Sequence, residues 1–262
     1  MKQRLAFLFC AIAVFAFFVY AVVVFFVKKN APRDLSEMET SGILHVVTEY
    51  DSVNYYVSGD TIAGEQYDLC RYIEKRSGLK IYVSLENNWE VCLRKLNKGV
   101  YDVIAQNIPI TSESRELVSF TVPVVQSKQV LVQRKSLPGD SFPLIRNQID
   151  LAGQTVYVAQ ASPCILRLRN LSDEIAEPIY IKEVVDYTAE QLIYMVAYKE
   201  IDYAIVDKQL ALKNQANFPD IDVATDISFT QNQAWAVRKT SPVLLDSLNQ
   251  WIGEWNALKT KN

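Results

Sequence analysis

Apolar residues along this chain alternate between two spacings. Ile43–Thr48, Leu79–Leu85 and Val100–Ala105 are short runs rich in branched side chains, a pattern that predicts strands. Between them, Gln66–Ser77 carries Leu69, Cys70 and Ile73 at helical spacing and stops at Gly78. Asn88–Lys98 places Trp89, Cys92, Leu93 and Leu96 on one face and stops at Gly99. A glycine just past the last periodic residue is a helix-stop signal. The resulting β-α-β-α-β order predicts a largely parallel sheet with helices on both faces.

Ser127–Arg134 reads as one long strand leaving this first unit. A second set follows: Thr155–Ala159 as a strand, Ser162-Pro163 as a helix start, Tyr187–Lys199 as a helix and Asp202–Val206 as a strand. Serine then proline suits a cap and the first helical position. Ala234–Arg238 is a further strand. Ser241–Ala257 is a terminal helix whose stripe of Leu244, Leu248, Trp251 and Trp255 should pack on a lobe.

The two sets echo each other. "KLNKGVYDVIAQNIPI" (Lys95–Ile110) and "YKEIDYAIVDKQL" (Tyr198–Leu210) both run from a helix end through an aspartate, Asp102 or Asp202, into a short apolar strand. "GILHVVTEYDS" (Gly42–Ser52) and "GQTVYVAQASP" (Gly153–Pro163) are both strands opening into polar loops. A duplicated α/β unit predicts two lobes with a cleft between them. Ligands of such sheets sit beyond the carboxyl ends of strands, where these polar stops fall.

The amino end is separate. Leu5–Val27 has no charged residue and is long enough for a hydrocarbon core of roughly 30 Å. It exceeds the apolar core of a cleavable signal, and Phe25-Phe26-Val27-Lys28-Lys29 at its end holds no small residue for a cleavage site. An uncleaved transmembrane anchor at 5–27 is therefore expected, with a polar tether at 28–41. Residues 1–33 hold five of the 27 basic side chains and none of the 30 acidic ones, so the remainder carries a net charge of −8. That sign disfavours nucleic acid and anionic lipid headgroups.

Catalytic constellations are thin. The only histidine, His45, sits mid-strand among Leu44, Val46 and Val47, which disfavours Ser/His or Cys/His nucleophilic chemistry. No cysteine pair has metal-ligand spacing, so neither zinc nor another cofactor is expected. Cys70 and Cys92 on consecutive helices are either buried free thiols or a disulfide. Recognition chemistry is better supplied. Read alone, Arg115 is a solvated arginine at a helix start and Asp207 caps the helix that follows it. Together they would set opposite charges on facing rims of one cleft, a guanidinium for a carboxylate and an aspartate for an ammonium.

These residues also carry a likeness. "GEQYDL" (Gly64–Leu69), "GVYDVIAQNIPITSESRELVSFTVP" (Gly99–Pro123), "VYVAQASP" (Val156–Pro163) and "EIDYAIVD" (Glu200–Asp207) fall in the order and spacing of a known group. From Gly42 to about Trp255 the chain resembles the type II periplasmic solute-binding proteins of the polar amino acid class. In particular it resembles the binding module of membrane-bound lytic murein transglycosylases, without their catalytic domain. The resemblance implies a two-lobed α/β fold with two mixed sheets and two hinge strands, lobe 1 at 42–130 plus 230–258 and lobe 2 at 131–229. It implies no catalysis.

It further implies that Arg115 clamps the ligand carboxylate and Asp207 the ammonium. Ser162 would donate at a helix start, Gln106 and Asn107 would add contacts, and Asp51 and Tyr55 would face the ligand side chain. Glu65 stands where the group usually has an aromatic residue, Pro109 where it often has a hydroxyl, and Arg115 falls one residue late from Thr111. The expected ligand is an amino acid or short peptide, a cell-wall peptide included, captured outside the cytoplasmic membrane for sensing or transport. A transporter or cell-wall enzyme would be the partner. A lyase or dehydratase on the same fold, and a non-catalytic partner of a transglycosylase, are the alternatives.

Overall fold

The computed structural model describes residues 33–135 and 144–260. The helices are α1 (Leu35–Ser41), α2 (Glu65–Ser77), α3 (Trp89–Asn97), α4 (Ser112–Leu117), α5 (Cys164–Ile175), α6 (Ala189–Ala197), α7 (Lys208–Gln215) and α8 (Pro242–Lys259). The first sheet orders β4 (Lys80–Leu85), β1 (Ile43–Thr48), β5 (Val103–Pro109), β13 (Gln231–Val237) and β6 (Ser119–Phe120), and β7 (Val125–Ser127) also pairs with β13. The second orders β10 (Tyr180–Val184), β9 (Thr155–Ala159), β11 (Ala204–Asp207), β8 (Gln129–Arg134) and β12 (Ile221–Asp222). A small hairpin, β2 (Tyr56–Ser58) with β3 (Thr61–Ala63), sits apart.

The two sheets share one plan. In each, the first strand lies between the second and third in parallel, and the third takes an antiparallel neighbour, β13 or β8. Alternation along the strands splits each lobe's core. Val46, Val103, Ala105 and Trp235 face α2 and α8, while Val47, Ile104 and Ala236 face Cys92 and Leu96 of α3. In the second sheet Val130, Val132 and Ala204 face α6 and α7, while Leu131, Val156 and Ile205 face α5. Two layers of helix on a parallel sheet are what βαβ crossovers produce. The terminal stripe packs as expected, with Leu244 and Leu248 fully buried and Trp251 and Trp255 partly so.

The echo in the sequence has a structural counterpart. Arg238, just past β13, donates to the carbonyls of Leu96 and Tyr101 and to Asp102. Arg134, at the end of β8, donates to the carbonyls of Val196 and Ile201 and to Asp202. Each guanidinium thus ties the carbonyl end of a helix to the aspartate just before a central strand. Left-handed backbone follows each helix, at Gly99 (φ 72°) and at Lys199 (φ 69°).

Several expectations change. The strand read as Ser127–Arg134 breaks at Lys128, leaving β7 on the first sheet and β8 on the second. Part of the expected tether is instead α1. Asp34 and Glu37 form its capping box, Met38 is buried in the first lobe's core, and Asp34 also accepts from Val243 and Leu244 at the start of α8. Cys70 and Cys92 are free thiols in different core clusters, and burial pushes both up to about 12. The anchor expected at 5–27 lies outside the described residues, among which no helix is long and apolar enough to cross a membrane.

Candidate functional site: a carboxylate-lined cavity between the lobes

Strand order fixes where a ligand can sit. In both sheets the order reverses between the first and third strands, and the crevice beyond their carboxyl ends is the expected location. A cavity of about 360 Å³ lies there, within the usual range for small-molecule sites. The first lobe supplies Glu49–Asp51 after β1, Glu86–Trp89 after β4 and Gln106–Pro109 from the end of β5. The second supplies Ala159–Pro163 from the end of β9, Asp186–Glu190 after β10, and Ile205–Asp207 of β11 with Gln209 and Leu210.

The lobes touch across this space. The Ser52 amide donates to Glu190 at 3.2 Å, Asn214 Nδ2 donates to Ser52 Oγ at 3.3 Å, and Asn88 Nδ2 donates to Gln160 Oε1 at 3.3 Å. Val53 from the first lobe packs on the second lobe's core. Gly64 positions the loop that carries these groups. Its φ of 128° and an approach of 2.3 Å between a would-be Cβ and the Asn54 carbonyl leave room for glycine alone. That carbonyl accepts the amides of Gln66 and Tyr67 at the start of α2.

Electrostatics set the character of the wall. Glu49, Asp51, Glu86, Asp186, Glu190 and Asp207 line the cavity, and no lysine, arginine or histidine does so among the described residues. Burial, then Asp51, then Asp207 across the cavity hold the Glu49 carboxyl well above the usual carboxylate range, against a hydrogen bond from the Asn107 amide. The Asp51 carboxyl is raised as well, chiefly by burial and less by Glu190, although Asn54 and Val53 donate to it. Tyr50, Trp89 and Tyr187 add aromatic faces.

Five of the seven expected site residues line the cavity: Asp51, Gln106, Asn107, Ser162 and Asp207. Asp207 ends β11 and receives Ser127 Oγ at 3.0 Å, Gln233 Nε2 at 3.0 Å and the Gln209 amide at 2.8 Å. Asp51 spends its carboxylate on its own loop, accepting from Val53, Asn54 N and Asn54 Nδ2. The Asn107 side chain is bonded within the first lobe, to Gln66 and Asn54. Ser162 lies one residue before the helix cap, which is Pro163, and its hydroxyl meets Cys164 Sγ at 3.1 Å.

Arg115 and Tyr55 are not in the lining. Tyr55 packs edge-on against Tyr67 at 5.8 Å, because its loop folds back through the Asp51–Tyr55 bridge. Arg115 is exposed on α4. The one-residue delay explains it, since each helical step turns a side chain by about 100°. Ser114 takes the inner position instead, donating to the Pro109 carbonyl and accepting from the Thr111 hydroxyl while it caps the helix. The clamp expected from Arg115 is thus absent from the cavity.

Sequence reading missed Glu49, Glu190 and Gln209. Glu49 was the most accessible of these, as it follows β1 at the carboxyl end of a parallel strand. His45 is structural, stacked on Tyr82 at 6.0 Å.

Comparison with known proteins agrees with this architecture. A membrane-bound lytic murein transglycosylase F from Desulfosudis oleivorans is 29% identical over 232 residues, covering 88% of this chain and 49% of that protein. One from Saccharophagus degradans is 29% identical over 210 residues, covering 80% and 41%. The chain thus spans about half the length of the curated relatives it matches. Among solved structures, holo ArgBP from T. maritima superposes with a TM-score of 0.72 at 24% identity, covering 85% of this chain and 94% of that one. AbpA from Streptococcus pneumoniae, bound to L-arginine, gives 0.72 at 18% identity, covering 86% and 93%. The model of the bacterial extracellular solute-binding proteins, family 3, matches residues 43–261, and the chain belongs to that family.

Proposed function

We propose that this chain captures a small amine-bearing solute between its lobes, outside the cytoplasmic membrane, and signals occupancy by closing. The observation that carries this reading is the cavity at the carboxyl ends of both sheets' parallel strands, walled by both lobes. Asp207 is the acceptor for the solute's ammonium group, with Glu49 opposite it. Amino acids, peptide amino ends and simple amines all satisfy that requirement.

The two crossings between lobes act as the hinge. They run side by side, tied by the Lys128–Asp226 ion pair and by bonds from the Gln129 amide to Ser228 Oγ and from the Ile227 amide to the Gln129 carbonyl. Residues 5–27 hold the domain at the membrane, an arrangement that suits sensing or regulation better than a shuttling transport role. The relatives' names support a cell-wall enzyme as partner. Binding without turnover is the activity assigned.

Native mass spectrometry of the purified full chain tests this. A non-covalent small molecule is expected on the parent and is expected to be lost from Asp207→Asn, in which asparagine still caps α7. A bare parent protein that no solute protects against heat would contradict capture.

A further inference from the structure

The cavity wall carries a charge pattern that a zwitterion does not answer. Among the described residues, Glu49, Asp51, Glu190 and Asp207 have no lysine or arginine partner within ion-pair distance. Their hydrogen bonds come from neutral donors: Asn54 Nδ2 on Glu49, Val53 and Asn54 on Asp51, Ser52 and Asn214 on Glu190, and Ser127, Gln233 and Gln209 on Asp207.

Two amides add to the excess of acceptors. Gln106, only 7% exposed, lines the cavity and donates through Nε2 to the Glu86 carbonyl, and no donor among the described residues reaches its Oε1. Gln209, whose amide N–H donates to Asp207, also lines the cavity, and its buried Oε1 has no donor among the described residues. Buried or half-buried carboxylates held only by neutral donors, next to amide oxygens that no donor reaches, favour a guest that brings positive charge and N–H groups. A guest carboxylate would meet no cation there. The inner position of α4 holds Ser114, already engaged in capping, and Arg115 faces solvent.

From this we infer that the solute is an organic cation with amine or guanidine groups at two ends and no carboxylate inside the cavity, a diamine or guanidino-amine rather than a free α-amino acid. The inference rests on the capture reading above and narrows it. One cationic end sits between Asp207 and Glu49, which approach from opposite lobes. The other meets Glu190 and Asp51, and Gln106 and Gln209 supply neutral acceptors along the way.

Calorimetric titration of the full chain with two matched pairs tests it: agmatine against L-arginine, and 1,4-diaminobutane against L-ornithine. Within each pair only the α-carboxylate differs. The carboxylate-free member of at least one pair is expected to bind ten-fold or more tightly than its partner. Asp207→Asn and Glu49→Gln are each expected to weaken that binding ten-fold or more. Equal or tighter binding of the amino acids in both pairs overturns the cation inference and leaves capture standing. So does failure of all four probes while a neutral or carboxylate-bearing solute co-purifies. A protein that purifies empty and binds none of the four removes the capture reading and this inference with it.

Discussion

Asp102→Ala is expected to destabilise the fold by about 3–5 kcal/mol, the scale of breaking a buried ion pair, whereas Asp202→Ala should cost less than about 1 kcal/mol. The two aspartates stand at equivalent places in the duplicated unit, so the contrast isolates burial. The Asp102–Arg238 side chains are 1% and 6% exposed, and Asp102 also accepts the His45 amide at 3.0 Å. Removing the carboxylate takes a charge partner from a buried guanidinium that also donates to the Leu96 and Tyr101 carbonyls. Asp202 is 59% exposed, so water replaces it at little cost. Since 1 kcal/mol moves Tm by roughly 2–4 °C in a chain of this size, Asp102→Ala should lower Tm by on the order of 10 °C. Equal losses in the two variants, read from thermal melts, would mean that the Asp102 site is not dry.

Glu49→Gln is expected to change how stability depends on pH. In the folded state Glu49 is held well above its ordinary pKa, first by burial and then by Asp51 and Asp207. Between the ordinary value and the raised one, the folded state binds more protons than the unfolded state, so this residue's contribution declines as pH rises. The contribution is fully present below the ordinary carboxylate range and is lost once pH passes the raised value. Glutamine mimics the protonated form at every pH. The parent and Glu49→Gln should therefore melt together in acid, and the variant should melt higher at neutral and alkaline pH in the absence of solute. Asp51, raised for similar reasons, adds a slope of the same sign to both proteins. A difference that is constant from acid to alkaline pH would show that Glu49 titrates normally. The carboxylate that weakens the empty protein is the one proposed to hold the guest, a stability-for-binding exchange common at functional sites.

How far the sequence led depended on the range of the interactions involved. Strand and helix alternation, glycine stops at Gly78 and Gly99, and the terminal stripe are local signals, and each element appeared within a few residues of its expected place. The family resemblance named Asp51, Gln106, Asn107, Ser162 and Asp207, and all five line the cavity, at or just past strand ends that local spacing made legible. Direction was not. Whether residue 114 or 115 faces inward turns on a helix phase set by the Thr111 cap. Tyr55 belongs to a loop whose path is fixed by Gly64 pressing on Asn54, a contact between segments. The break at Lys128 arises because neighbouring residues pair with strands of different sheets, which no local spacing records. Glu190 joined the site only when α6 of one lobe met Ser52 of the other.

The central claim is that a solute sits between Glu49 and Asp207, contacted by both lobes. A crystal structure of the protein with its co-purified solute tests this most directly. The account predicts a guest nitrogen within hydrogen-bond distance of Asp207 and of Glu49, with Arg115 uninvolved. A guest held by Arg115, or lodged away from the strand ends, would contradict it.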